Sequence, residues 1–231
     1  MEIVLIRHGQ PEWVKGGEYT VDPGLTEIGK EQAEKSASVF AANSIDEIWV
    51  SPLSRAQETL KPFEEKNIAP NIKTFEWLRE ALDDDEKKLI GESEETIINY
   101  FENRNTRSFE DWMETTHGVY MKGFSENIIQ NFNESLNNIG VKSIDDRYDR
   151  LFDLSSAKVN KLMIISHAGT MSTLLSYLLS LPLYPWTWRK FLPRHTGHTY
   201  LRSTEITSGH FFRMKEFNDV SFMGSDKLKT Y

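Results

Sequence analysis

Cysteine is absent from the 231 residues, which excludes a disulfide framework, a thiolate metal site and a cysteine nucleophile together. Such a chain suits a reducing compartment. No apolar run is long enough to span a bilayer. The greasiest stretch, Leu174 to Leu183, is short and is interrupted by serines and Pro182. Basic residues are in the minority, 27 Lys+Arg against 35 Asp+Glu, for a net charge of −8 and no Lys/Arg-rich block. General nucleic-acid binding needs a broad basic face and is therefore not expected. The segment Met1 to Ile6 has no basic region before its apolar residues and runs into Arg7, a poor match to a secretory signal. These absences point to a cytoplasmic protein with neither a membrane nor a nucleic-acid partner.

A hydrophobic share of 39% with 27% charged residues is that of an ordinary globular chain, so disorder throughout is excluded. Glu2 to Ile6 and Leu162 to Ile165 are dominated by Ile, Leu, Val and Met, the composition of strands buried on both faces. Ile45 to Val50 is a shorter candidate. All three end at polar residues with chemical potential: Arg7-His8, Ser51-Pro52 and Ser166-His167. Helix-like stretches follow. Thr26 to Asn43 carries Ala33, Ala37 and Phe40 at helical spacing. Ser51 and Pro52 fit an N-cap and first helical position, and Gly169 to Leu181 is apolar and stopped by Pro182. Strands alternating with helices imply an α/β fold, a three-layer sandwich with a mostly parallel central sheet. Ligands in such sheets sit at the carboxyl ends of the strands, where Arg7, His8 and His167 fall. Residues 81–158 are polar and acidic, with weak helical patterning over Asn99 to Thr116 and Phe124 to Ile139. We read them as a helical insertion over the active site within a single domain spanning residues 1–231. His198 to Ser203 and His210 to Phe217 alternate as a hairpin or two strands, and the tail from Ser225 is expected to fray.

Four motifs carry the chemistry. They are Arg7-His8-Gly9, Leu25-Thr26-Glu27-Ile28-Gly29-Lys30-Glu31-Gln32-Ala33, Ser51-Pro52-Leu53-Ser54-Arg55-Ala56-Gln57-Glu58-Thr59, and Ser166-His167-Ala168-Gly169. In this order and at these separations the chain resembles the histidine phosphatase superfamily, the phosphoglycerate mutase-like proteins. The resemblance covers the first sixty or so residues and the surroundings of His167. It implies that His8 attacks phosphorus, that Arg7 and Arg55 hold the phosphoryl oxygens, and that His167 stabilises the transferring group with help from the amide of Ala168. Gln10 is expected to touch the phosphate. The proton for the leaving alkoxide is expected from Glu80, ahead of Glu76 and the run Asp83 to Glu86.

Elementary chemistry supports the same site. Arginine binds phosphate oxygens bidentately with a charge that pH cannot remove. A neutral imidazole is nucleophilic at cellular pH, and arginines neutralise charge that builds on the equatorial oxygens in the transition state. The expected activity is a phosphomonoester hydrolase with no metal and no cofactor, acting on a small phosphorylated molecule. Alternatives are a phosphomutase and a non-catalytic module that binds phosphorylated ligands. Against the mutase, Val14 follows Trp13 where the mutases carry Asn, and Glu80-Ala81-Leu82-Asp83-Asp84 replaces their Gly-rich signature around the acid.

Other residues have plainer readings. His117, His195, His198 and His210 are expected to be structural or surface histidines rather than metal ligands. Asp83 to Glu86 reads as a solvated acidic turn, Trp186 and Trp188 as packing residues, and Ser51 and Ser54 as helix-capping residues. The tripeptide Gly91-Glu92-Ser93 is too short to carry meaning.

Overall fold

Along the first strand, β1 (Glu2–Arg7), the side chains alternate between two cores. Ile3 and Leu5 belong to one buried cluster, Val4 and Ile6 to the other. β8 (Lys161–Ser166) repeats the division, with Leu162 and Ile164 on the first side and Met163 and Ile165 on the second. A strand whose two faces are both apolar must be covered on both sides, and that requirement produces three layers. The structure, a computed structural model, describes residues 1–15, 18–81, 108–145, 149–183 and 190–231.

The remaining elements are β2 (Val14–Lys15), β3 (Glu18–Tyr19), α1 (Glu27–Ser38), β4 (Glu47–Val50), α2 (Ser54–Glu65) and β5 (Asn71–Thr74). After them come α3 (Phe109–Met113), α4 (Thr116–Asn138), β6 (Lys142–Asp145), β7 (Arg150–Asp153), α5 (Ala168–Leu178), β9 (His198–Ile206) and β10 (Gly209–Asp219). Eight strands form one sheet in the order β5-β4-β8-β1-β9-β10-β7-β6. From β5 to β1 the neighbours are parallel. From β1 outward they are antiparallel. Helices α1 and α2 cover one face through Ala37, Ala56, Leu60 and Phe63. Helices α4 and α5 cover the other through Ile128, Phe132, Leu136, Leu174 and Leu178.

The span 81–158 differs from the expected insertion in its second half. β6 and β7 lie inside it and belong to the main sheet, and α4, longer than the stretch Phe124 to Ile139, packs into the main core. Four-residue strands carry too little periodicity to stand out in a polar stretch. Trp112 is buried with Ala81 and Met121 in a small cluster of its own. The run Asp83 to Glu86, Gly91 to Ser93, the first half of the stretch Asn99 to Thr116, and both Trp186 and Trp188 lie outside the described residues.

Two local expectations are corrected. Ser51 does not cap α2: the N-cap is Leu53, without a side-chain bond, and the Asp22 carboxylate takes the Ser54 N–H (3.0 Å) and the Ser54 hydroxyl (2.9 Å) instead. The tail is not frayed. Leu228 is buried, and Thr230 bonds both His195 and Gln32, so tertiary hydrogen bonds fix a segment that has no local pattern of its own. Among the described residues no helix is long and apolar enough to cross a membrane.

Candidate active site

Register decides where the chemistry sits. Arg7 of β1 pairs with Ser166 of β8, so the next residue of each parallel strand, His8 and His167, leaves the sheet side by side. Their rings lie 5.0 Å apart. β4 runs parallel to β8 and delivers Ser51 to the same edge, with the Ser51 N–H on the Ile165 carbonyl at 3.0 Å.

His8 is buried, and its Nδ1 lies 2.7 Å from the Gly9 carbonyl oxygen. A carbonyl only accepts, so Nδ1 carries the hydrogen and Nε2 keeps its lone pair. Arg55 Nε donates to that Nε2 at 3.3 Å. The Thr59 hydroxyl takes the Gly9 N–H (2.9 Å) and donates to the Arg55 carbonyl (2.7 Å), which ties α2 to the strand end. Gly9 is required by close approach: a Cβ there would lie 2.6 Å from the Gly29 carbonyl oxygen. The second motif thereby gains a physical reading. Thr26 caps α1 by accepting the Gly29 N–H at 3.0 Å, Gly29 lets the loop pass, and buried Gln32 accepts the Gln10 N–H at 2.8 Å.

The electrostatics are strongly positive. Arg7 donates through Nη1 to the Pro193 carbonyl at 2.9 Å. Its ordinary value falls to about 10, chiefly through burial and also through Arg55, while Glu80 opposes the shift, so it stays charged at neutral pH. Burial first, then His167, Arg55, Arg7 and His195, holds His8 well below the usual histidine range. Burial followed by Arg55, Arg7 and Arg79 does the same to His167. Both rings are therefore neutral at neutral pH. His167 Nε2 lies 2.7 Å from the Ser51 hydroxyl. Its Nδ1, the Arg7 Nε and the Thr196 hydroxyl are buried without a protein hydrogen-bond partner among the described residues. Buried polar groups left this way cost free energy unless a ligand satisfies them. An anion with several acceptor oxygens suits the Arg7 donor.

Glu80 reaches the same edge from the loop after β5. Its Oε1 accepts the Ala81 N–H at 2.9 Å and the Gly169 N–H, in the first turn of α5, at 3.0 Å. Ala168 opens α5, whose amino end carries partial positive charge. The fold thus brings Arg7, His8, Arg55, Glu80, His167 and Ala168 together. Gln10 lies beside them and braces the loop: its side-chain oxygen accepts from the Thr26 hydroxyl at 2.8 Å. Glu76 is spent on Arg79 at the surface.

Three neighbours escaped the sequence reading. His195 stands 5.6 Å from His8, ring to ring. Asp22, the cap of α2, lies 3.7 Å from Arg55 Nη1, and the Trp13 ring stacks 5.0 Å from the Arg55 guanidinium. His195 precedes β9, which is antiparallel to β1, and the Thr196 N–H reaches the Arg7 carbonyl at 2.9 Å. Only strand order places it there. Among the described residues no group of three or more His, Cys, Asp or Glu side chains is arranged to hold a metal ion.

The family model of the histidine phosphatase superfamily (branch 1) matches residues 3–219. The chain belongs to this superfamily. A 2,3-bisphosphoglycerate-dependent phosphoglycerate mutase of Parvibaculum lavamentivorans is 48% identical over 61 residues, 25% of this chain and 29% of that protein. Phosphoserine phosphatase 1 of Hydrogenobacter thermophilus is 29% identical over 125 residues, 53% of this chain and 56% of that protein. The matches therefore span about half or less of these relatives' own length. Among solved structures, the phosphoserine phosphatase of Entamoeba histolytica in complex with 3-phosphoglyceric acid superposes with a TM-score of 0.64 at 21% identity, covering 96% of this chain and 98% of that one. The fold is shared.

Proposed function

We propose that this member of the superfamily is a metal-independent phosphomonoester hydrolase working through a phosphohistidine on His8. The observation that carries the proposal is the His8 ring: Nδ1 is tied to the Gly9 carbonyl, which leaves Nε2 without a hydrogen and its lone pair facing the Arg55 guanidinium at 3.3 Å. In the first step Nε2 forms a bond to phosphorus while the bond from phosphorus to the substrate oxygen breaks. The leaving oxygen takes a proton from Glu80. In the second step water attacks the phosphohistidine, the N–P bond breaks, and the Glu80 carboxylate takes the proton from the water. Phosphate leaves and both residues return to their starting states. Arg7 and Arg55 offset the charge on the transferring oxygens in both steps, and the amino end of α5 adds to them.

Hydrolysis is favoured over the mutase reaction because the mutases' Asn is Val14 here and their Gly-rich continuation after the acid is missing. The substrate is read as a small phosphomonoester, selected by the region that follows Glu80, and the setting as cytoplasmic. A panel of phosphorylated metabolites tests this reading. Orthophosphate should be released from at least one, with vanadate inhibiting and EDTA leaving the rate unchanged. His8→Ala should abolish turnover, and brief labelling of the wild type should give an acid-labile, base-stable phosphoprotein. Transfer back to 3-phosphoglycerate from a bisphosphoglycerate primer, in place of release to water, would establish the mutase instead.

A further inference from the structure

The third histidine of the pocket has an environment that fixes its protonated nitrogen. Gln32 is buried, and its side-chain oxygen faces the Gln10 N–H, which can only donate. Its amide nitrogen is therefore turned the other way. It donates to the Leu228 carbonyl and to the Thr230 hydroxyl oxygen, each at 2.8 Å. Having received that N–H, the Thr230 hydroxyl has one acceptor for its own hydrogen among the described residues, His195 Nδ1 at 2.8 Å. The backbone clamps the same pair, with the His195 N–H on the Thr230 carbonyl at 3.0 Å. The imidazole is neutral, held down to about 2 by burial and then by Arg7. A neutral imidazole that accepts at Nδ1 carries its hydrogen at Nε2. That nitrogen is on the ring edge turned away from the tail, and it has no protein partner among the described residues.

We infer that His195 is a substrate-binding residue, donating an Nε2–H hydrogen bond to an oxygen of a phosphoryl group seated between His8 and Arg7, with Gln32 and Thr230 as the positioning residues that hold it in this tautomer. The seating rests on the proposed function, but the inference needs only that the pocket binds a phosphate-like anion. A neutral donor here has a use. It adds a hydrogen bond without adding a third full positive charge beside His8, whose lone pair would be weakened by another cation.

Orthophosphate binding measured by calorimetry, together with ring nitrogen shifts in ¹⁵N-labelled protein, tests it without requiring turnover. His195→Asn, which cannot place a donor at the Nε2 position, should weaken orthophosphate binding about tenfold or more, the scale of a hydrogen bond to a charged group. His195→Gln, whose amide reaches that position, should stay within about threefold of the wild type on the same scale. Thr230→Val should mix the two tautomers of His195 and weaken binding, and Thr230→Ser should restore both. In the wild type the His195 signals should show hydrogen on Nε2 and none on Nδ1, a readout that needs no variant to fold. Hydrogen found on Nδ1, or unchanged orthophosphate affinity in a folded His195→Asn protein, would overturn the assignment. A protein that hydrolyses no phosphomonoester yet shows these shifts and binding losses keeps His195 as a phosphate ligand and removes only the hydrolase reading.

Discussion

Glu80→Gln separates proton delivery from positioning. The Glu80 side chain uses Oε1 to accept the Ala81 and Gly169 N–H groups at 2.9 and 3.0 Å. Glutamine keeps an oxygen for those two donors, so the side chain should hold its place. Exchanging a carboxyl for an amide acceptor on two retained hydrogen bonds should cost about 1 kcal/mol for this partly buried group. For a chain of this length that lowers the melting temperature by roughly 2–4 °C. The effect on chemistry should be much larger. An alkoxide is a poor leaving group without a proton, and general acid catalysis is worth about a hundredfold or more, close to 3 kcal/mol. p-Nitrophenolate leaves without protonation and should depend on the acid little. The assay is kcat/KM for an alkyl phosphate and for p-nitrophenyl phosphate in both proteins between pH 6 and 8, with melting curves alongside. The alkyl rate should fall about a hundredfold and the nitrophenyl rate less than about tenfold. The alkaline limb of the alkyl profile should flatten. Equal losses on both substrates would refute the acid role and leave Glu80 as a brace for α5.

Two further outcomes follow from the same geometry. Gly9→Ala places a methyl group 2.6 Å from the backbone oxygen of Gly29, where no flexible side chain can yield. It should destabilise the fold by about 1–3 kcal/mol and displace His8; an urea midpoint equal to the wild type's would show that the loop is looser than described. The buried histidines make stability acid-sensitive. The folded values of His195 and His198 are depressed from 6.5 to about 2 and about 3, in each case chiefly by burial. The unfolded chain therefore binds protons that the folded one refuses. Their stabilising contribution is complete above the ordinary value of 6.5, falls progressively below it, and is gone once pH drops under the folded values. Each should weaken the folding equilibrium about tenfold per pH unit in that window. Urea midpoints should fall steeply from pH 7 to pH 4.5, and midpoints flat across this range would contradict the burial of these rings.

Composition and local pattern were enough to specify the α/β alternation, β1, β8, the β9–β10 pair and the placing of Arg7, His8 and His167 at strand ends, and the family resemblance added Arg55 to them. The reason is that buried parallel strands are continuous apolar runs and that phosphate chemistry draws on few residue types. The rest of the antiparallel half of the sheet was not legible. β6 and β7 are four residues each within a polar stretch, and nothing local says that β9 lies against β1. That pairing brings His195 to His8, and the buried amide of Gln32 helps to anchor Thr230 beneath it. Ser51 shows the same limit. Its sequence setting fits a helix cap, yet the parallel register of β4 and β8 gives its hydroxyl to His167. Local sequence determines which groups a segment offers. Which groups meet is decided by strand order and register, through contacts between residues more than a hundred positions apart.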